Sequence, residues 1–335
     1  FVYMELVSDN PITVQGISAV NRIPIFQNEA EIITNDEQLN QIIKTAAYTV
    51  KLCCQNNYIW DGIKRDRLVW SGDLHPEILT VLYMYGDIPN IQNSITFVKD
   101  DTEPTKWANW IPSYSAWWII NLCDYCKISG NKAFFEKNAD YAARVLSKIN
   151  SCIGKDGTLN PTDTQMPYFL DWQTFGTDDA IVGTVSLFIL AAKHFSEFES
   201  NADADEIITK LTPILLNMKP VSKQALAFYY LAGGKIEKLD SLLEKGGAEG
   251  FSTFMAYYIL KADAAAGGRN MLSIIKEYYG GMLSKGATTF WEDFDINWMK
   301  NSNEIDRFPD AHEKDIHGDF GRFCYQNFRH SLCHG

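Results

Sequence analysis

The chain has 335 residues, 46% hydrophobic and 21% charged, with 30 basic against 42 acidic side chains and a formal net charge of -12. That is enough apolar material for a large buried core, in one big domain or two moderate ones. The acidic balance repels phosphate backbones and anionic membranes, which argues against nucleic-acid partners, and no run of 18 apolar residues free of charge predicts a membrane span.

Residues 1–28 alternate apolar and polar positions, as in ITVQGISAVNRIPIF, and predict strands: the tail of a preceding β-sandwich, with a linker. Nothing there has the parts of a signal peptide, and a chain opening on Phe1 inside a strand reads as cut from something longer. From residue 29 to 335 the pattern is helical. Asp36 is placed to cap a helix through about Cys54, with Leu39, Ile42, Ile43, Ala46 and Val50 on one stripe. Pro76 suits the first turn of a second helix through Tyr85. Further helices are expected near Ile88–Val98, Ser113–Ile128 and Lys132–Ile149.

A long loop, SCIGKDGTLNPTDTQMPYFLDWQTFGTDD, comes next. Helices resume near Ala180–Phe198, Ala204–Leu216, Val221–Leu231, Lys235–Leu243, Phe251–Ala264 and Arg269–Tyr279. Short glycine-bearing links such as SGN, AGGK and AAAGG separate many of the pairs. Helix, short turn, helix, long loop, repeated, predicts an all-α fold of hairpins closing into an (α/α)6 barrel. No period near 34 or 40 residues supports an open superhelix instead. The pattern stops at Gly335, before a twelfth helix, so the last hairpin is expected to be incomplete. The seven cysteines include the adjacent pair Cys53–Cys54 and the CDYC run at Cys123 and Cys126. All four fall in helical runs without zinc spacing and read as buried thiols.

Four segments carry chemistry. WDGIKRDRLVWSGDLHPE, residues 60–77, threads Asp61, Asp66 and Asp73 between Trp60, Arg65, Arg67 and Trp70. Spacings of five and seven cannot face one way on a regular helix, whereas a loop curling round a pocket can bring the three acids together. The tryptophans offer apolar faces to sugar C–H patches, and the arginines reach hydroxyls or hold the acids. The competing reading is helix capping and surface salt bridges, with Asp73 capping the helix at Leu74. GATTFWEDFD places Glu292 beside Trp291, where an indole partly desolvates the carboxylate and raises its pKa. In YFLDWQTFG, Trp172 reads as a platform and Asp171 as a hydroxyl ligand, with loop packing as the alternative. HSLCHG at the end offers His330 or His334 as a donor to substrate. The histidines lack ligand spacing, so no metal and no cofactor is implied. Two carboxylate segments far apart in sequence, set among aromatic loops, fit acid/base hydrolysis of a glycoside.

DGIKRDRLVWSGD resembles the RDERLGWTGD signature of bacterial α-L-rhamnosidases of the six-hairpin type, and IPSYSAWWI, FLDW, GATTFWE and SLCHG resemble that family's later landmarks in the right order. The resemblance covers roughly residues 30–335. It implies an inverting glycosidase acting on a terminal α-L-rhamnose or related sugar of a glycan, often in the periplasm, the cell envelope or outside the cell, with further β-domains in the full-length protein. By the same resemblance Asp66 is the general acid, Glu292 the general base, Asp61 and Asp73 the flanking acids, and His334 the late histidine. Asp66 stands where the family has glutamate, a side chain shorter by one methylene, about 1.3 Å. A moved backbone, a different substrate, a proton from Asp73 or Asp61, or weak activity would each answer that change. Val69 in place of glycine and the long stretch Ile296–Phe328 suggest a reshaped pocket. A hydrolase or lyase of another sugar such as a uronide, with Tyr168 and His334 facing it, and a carbohydrate-binding protein without catalysis are the other readings.

Overall fold

A computed structural model describes residues 4–20, 22–63, 66–235, 243–244 and 246–316. Among these residues the chain folds into ten α-helices and one two-stranded hairpin. The helices are α1 (Glu37–Cys53), α2 (Leu74–Tyr85), α3 (Pro89–Asp101), α4 (Pro112–Ser129) and α5 (Lys132–Ser151). After the long loop follow α6 (Asp178–Ser196), α7 (Ala202–Asn217), α8 (Lys223–Leu231), α9 (Thr253–Ala265) and α10 (Met271–Ser284). The hairpin pairs β1 (Cys54–Gln55) with β2 (Tyr58–Ile59), antiparallel.

Most starts follow the capping rule. The side chains of Asp36, Asn131, Asn201, Ser222 and Ser252 each accept a backbone N–H from the helix they precede, and prolines open α3 and α4. Predicted and observed bounds differ by a turn at most, except for α10, whose C-terminal end runs to Ser284. The predicted helix from Lys235 falls mostly outside the described residues.

The helices form two layers of the predicted (α/α) ring. α2, α4, α6, α8 and α9 pack in that order as an inner wall; α1, α3, α5, α7 and α10 lie outside it. Burial follows the layering. In α4, 14 of 18 residues are buried, and the helix is apolar almost all round; in α7 only 4 of 16 are, on one stripe. α6 is long and apolar enough to cross a membrane by length and composition, yet 67% of that stretch is buried within the ring, as an inner-layer helix must be.

The N-terminal segment departs from expectation. Residues 4–20 and 22–28 pair in no ladder, and Val7, Ile17, Val20 and Ile25 are exposed. Alternation supplies two faces, but a strand also needs a hydrogen-bonding neighbour, and the described residues give it none. Cys53 is a second correction: it is disulfide-bonded, whereas Cys54, Cys123, Cys126 and Cys152 are free. Burial pushes the Cys126 thiol up to about 12, consistent with an inert core cysteine.

The inner layer leaves an axial cavity of about 210 Å³ toward the C-terminal ends of α4, α6, α8 and α9. Asp124 sits there between two histidines, taking His75 Nε2 at 3.0 Å and His194 Nδ1 at 2.8 Å. Tyr258 Oη lies 2.7 Å from His75 Nδ1. Burial pushes the His75 pKa down, against the pull of Asp124, so the ring is neutral at pH 7. An ionised carboxylate only accepts, so Nε2–H donates to Asp124 and Tyr258 donates to Nδ1. Burial also raises the Asp124 carboxyl, but the hydrogen bonds from His194 and His75 outweigh it and hold it well below the usual carboxylate range.

Candidate active site

A second cavity, of about 120 Å³, lies beside the start of α4 and the residues just ahead of α2. Its lining includes all three acids of the residue 60–77 segment, Asp61, Asp66 and Asp73, together with Glu292. Trp70, Tyr114, Phe169 and Trp172 supply aromatic walls. Three parts of the chain, each singled out by its sequence, therefore meet at one mouth of the ring.

The first segment is held by backbone pairing. Asp61 N donates to Leu68 O at 3.0 Å, and Leu68 N donates back to Asp61 Oδ1 at 2.8 Å, so the loop carrying Asp66 is closed at its base. Asp61 is only 3% exposed. Beyond the loop, Asn121 on α4 donates to Ser71 O at 2.7 Å. Gly72 is required by contact: a Cβ there would stand 2.9 Å from the Tyr114 ring. Asp73 then occupies the cap position of α2, but in helical conformation and without a side-chain cap bond. The cap reading is thus not what the structure shows, and the carboxylate lines the cavity instead.

Glu292 is presented by a segment whose other side chains are anchors. Phe290, Trp291 and Phe294 are buried, Phe290 N donates to Thr49 on α1 at 3.0 Å, and Tyr278 on α10 donates to Phe294 O at 2.9 Å. Thr253 at the start of α9 donates to Trp291 O. Glu292, half-buried between these buried anchors, lines the cavity while its neighbours lock the backbone.

Several residues expected at the site are placed differently. Trp291 is 2% exposed and packs edge-on against Phe294, centroids 5.7 Å apart, as a core anchor rather than a lining residue. Trp60 also does not line the cavity; it is half-buried against the core, and its backbone N–H donates to Cys53 O at 3.0 Å. Asp171 stands behind Trp172: its Oδ1 accepts from Trp172 N at 2.8 Å and its Oδ2 from Ser252 at 2.6 Å. Loop packing, the alternative to a hydroxyl ligand, matches those bonds. Trp172 does line the cavity, with Phe169 edge-on at 5.1 Å. Arg65, His330 and His334 lie outside the described residues.

One carboxyl was missed. Glu77, one turn beyond Asp73 on α2, is 1% exposed, and its Oε1 has no hydrogen-bond partner among the described residues. Burial first, then the charges of Asp73 and Asp61, raise its pKa well above the usual range. The available signal was an acid one turn after Asp73 inside the apolar run of α2. A pKa raised in the folded state favours stability below the ordinary value of 4.5, and that advantage is lost as pH rises through the folded value. Glu77→Gln, which keeps the shape without the charge, should therefore melt higher than wild type at pH 8. A gain on the order of 3 °C corresponds to about 1 kcal/mol in a chain of this size. Calorimetry at pH 4 and pH 8 checks this, since an equal difference at both would refute the assignment.

Comparison with known proteins agrees with this architecture. The model of the bacterial alpha-L-rhamnosidase 6 hairpin glycosidase domain family matches residues 27–197. Among solved structures, a rhamnosidase from Klebsiella oxytoca with rhamnose bound superposes with a TM-score of 0.70 at 19% identity, over 92% of this chain and 63% of that one. A GH78 family rhamnosidase of Bacillus sp. GL1 gives 0.66 at 19% identity, over 91% and 35%. The alpha-L-rhamnosidase from Dictyoglomus thermophilum gives 0.57 at 16%, over 79% and 35%. The chain thus spans less than two thirds of each of these proteins, and at such identities the likeness is one of fold. No curated protein sequence matches the chain.

Proposed function

Because the chain belongs to the six-hairpin glycosidase domain family of bacterial α-L-rhamnosidases, we propose that it is an inverting glycoside hydrolase releasing a terminal α-L-rhamnose or a related sugar from an oligosaccharide or glycan. One observation carries the reading: Asp61, Asp66, Asp73 and Glu292 line a single aromatic-walled cavity. At about 120 Å³ it is well below the ~300–1,000 Å³ of sites that enclose drug-sized ligands, which suits one sugar ring and exo action.

In the proposed mechanism Asp66 gives a proton to the glycosidic oxygen as the bond to the anomeric carbon breaks. Glu292 takes a proton from a water that attacks the opposite face, and the product carries the inverted configuration. Asp61 and Asp73 hold ring hydroxyls of the bound sugar. Trp70 and Trp172 stack on the apolar face of the sugar. Further β-domains in the full-length protein, and a periplasmic, envelope or extracellular location, belong to the same proposal; the disulfide at Cys53 fits an oxidising compartment.

The test is hydrolysis of an aryl α-L-rhamnoside, with the first-formed anomer read by proton resonance. Release of the β-anomer supports inversion. Release of the α-anomer would overturn the mechanism, and turnover of other aryl glycosides but not the rhamnoside would overturn the sugar.

A further inference from the structure

Next to the acid cavity runs a second, larger space of about 550 Å³ that shares Trp70, Ile111 and Met166 with it. Its other walls are Asn109, Trp110 and residues 163–165. Trp110 is 70% exposed, and its indole makes no ring contact among the described residues. A single exposed indole is ordinary on a protein surface, but this one lines a concave space beside the acid cavity.

The backbone under Trp110 deepens the question. Asn109 and Trp110 have φ of 49° and 62°, the left-handed region that bulky side chains avoid. Such a conformation persists only where surrounding bonds over-determine it, and here they do. Asn109 Oδ1 accepts from Ser71 N at 3.0 Å and from Ser71 Oγ at 3.1 Å, while its Nδ2 donates to Val69 O. From the other wall Thr164 Oγ1 donates to Trp110 O at 2.8 Å, and Trp107 Nε1 donates to Thr162 O at 2.6 Å. The strained turn is therefore fastened on one side to the segment that carries Trp70 and Asp73, and on the other to the loop that forms the far wall. The result is an indole fixed in the open, beside the acid pocket, facing Asp163, Thr164 and Gln165.

We infer that this groove is a leaving-group subsite: it binds the sugar units left behind after cleavage, with Trp110 as stacking platform and the polar residues at 163–165 as hydroxyl partners. The inference rests on the glycosidase reading above and deepens it. It makes the substrate an oligosaccharide of at least two sugars rather than a small aryl or alkyl glycoside. An aromatic face with carboxylate, hydroxyl and amide groups beside it matches a pyranose, whose C–H patch stacks while its rim hydroxyls donate and accept. The volume, within the ~300–1,000 Å³ typical of ligand sites, exceeds the one-ring cavity several-fold.

The experiment uses the full chain carrying Glu292→Gln, so that ligands are not consumed, with and without Trp110→Ala or Trp110→Phe. Calorimetric titration compares rhamnose with a rhamnose-capped trisaccharide. Trp110→Ala should lower the ratio of trisaccharide to rhamnose affinity by about tenfold, the loss of one strong contact. Trp110→Phe, which keeps a ring, should recover most of it. An unchanged ratio in Trp110→Ala overturns the subsite. If neither rhamnose nor the trisaccharide binds, the sugar assignment fails, and rhamnose-free oligosaccharides of glucose, galactose, mannose and xylose are titrated instead. Binding of any of them that needs Trp110 sustains the groove, whereas binding of none, or binding indifferent to Trp110, overturns it.

Discussion

In Glu292→Gln, kcat for an α-L-rhamnoside is expected to fall by about 10²- to 10⁴-fold, the usual worth of a general base. The amide preserves the size of the side chain and leaves Phe290, Trp291 and Phe294 in place, so the melting temperature should stay near that of wild type. Asp66→Asn should behave differently, because an acid matters only as much as its leaving group needs a proton. With a good leaving group such as a nitrophenolate the loss should be small. With an alkyl or sugar leaving group it should approach the full factor. Comparing the two substrate types for Asp66→Asn, Asp61→Asn and Asp73→Asn identifies the acid, since only its variant shows the leaving-group dependence. The dependence appearing in Asp73→Asn or Asp61→Asn, and not in Asp66→Asn, would move the role.

The second large effect concerns stability. Asp124→Ala removes the carboxylate that takes both His75 and His194, and leaves the Nε2–H of a ring only 2% exposed without its acceptor. The expected cost is about 3 kcal/mol, on the order of 10 °C in Tm. Asp124→Asn, which keeps one acceptor oxygen, should lose less. The acid side has a defined sign. His75 has its pKa lowered on folding, so the unfolded chain binds more protons below 6.5 and stability declines as pH falls from there. Asp124, also lowered, adds stability above 3.8 that is lost only as pH falls on toward its folded value. The contribution of this cluster should thus be lost progressively as pH falls below 6.5, and the deficit of Asp124→Ala should begin to narrow below 3.8. A variant melting within about 2 °C of wild type at pH 7 would show that the cluster does not tie the ring together.

Much of this was legible in the sequence, for identifiable reasons. Helix positions follow from capping side chains and 3.6-residue stripes, which act locally, so α1, α5 and α7 were readable almost to the residue. The three acids at 61, 66 and 73 announced themselves because no helix explains their spacing, and Glu292 because of its aromatic neighbours. What failed was direction. Trp291 and Trp172 are both tryptophans beside an acid, yet one anchors the core and the other lines the cavity, and only tertiary packing separates them. Asp171 was indistinguishable from a substrate ligand until Ser252, 81 residues away, came within hydrogen-bond reach. Glu77 is buried, and an acid in the first turn of a helix carries no sign of that in the sequence. Strands at 1–28 were read from alternation, which is silent about whether a pairing neighbour exists.

The two cavities of the ring also have a polarity. Asp73 and Tyr114 stand in the first turns of α2 and α4, while Asp124, His194 and Lys261 stand near the C-terminal ends of α4, α6 and α9. Helix N-termini carry partial positive charge and C-termini partial negative charge. The four-carboxylate mouth is therefore placed where the peptide dipoles favour anions, whereas the histidine cavity combines the C-terminal halves of α4, α6 and α9 with His75 from the first turn of α2. In a chain of net charge -12, the scaffold itself offsets part of the repulsion among Asp61, Asp66, Asp73 and Glu292.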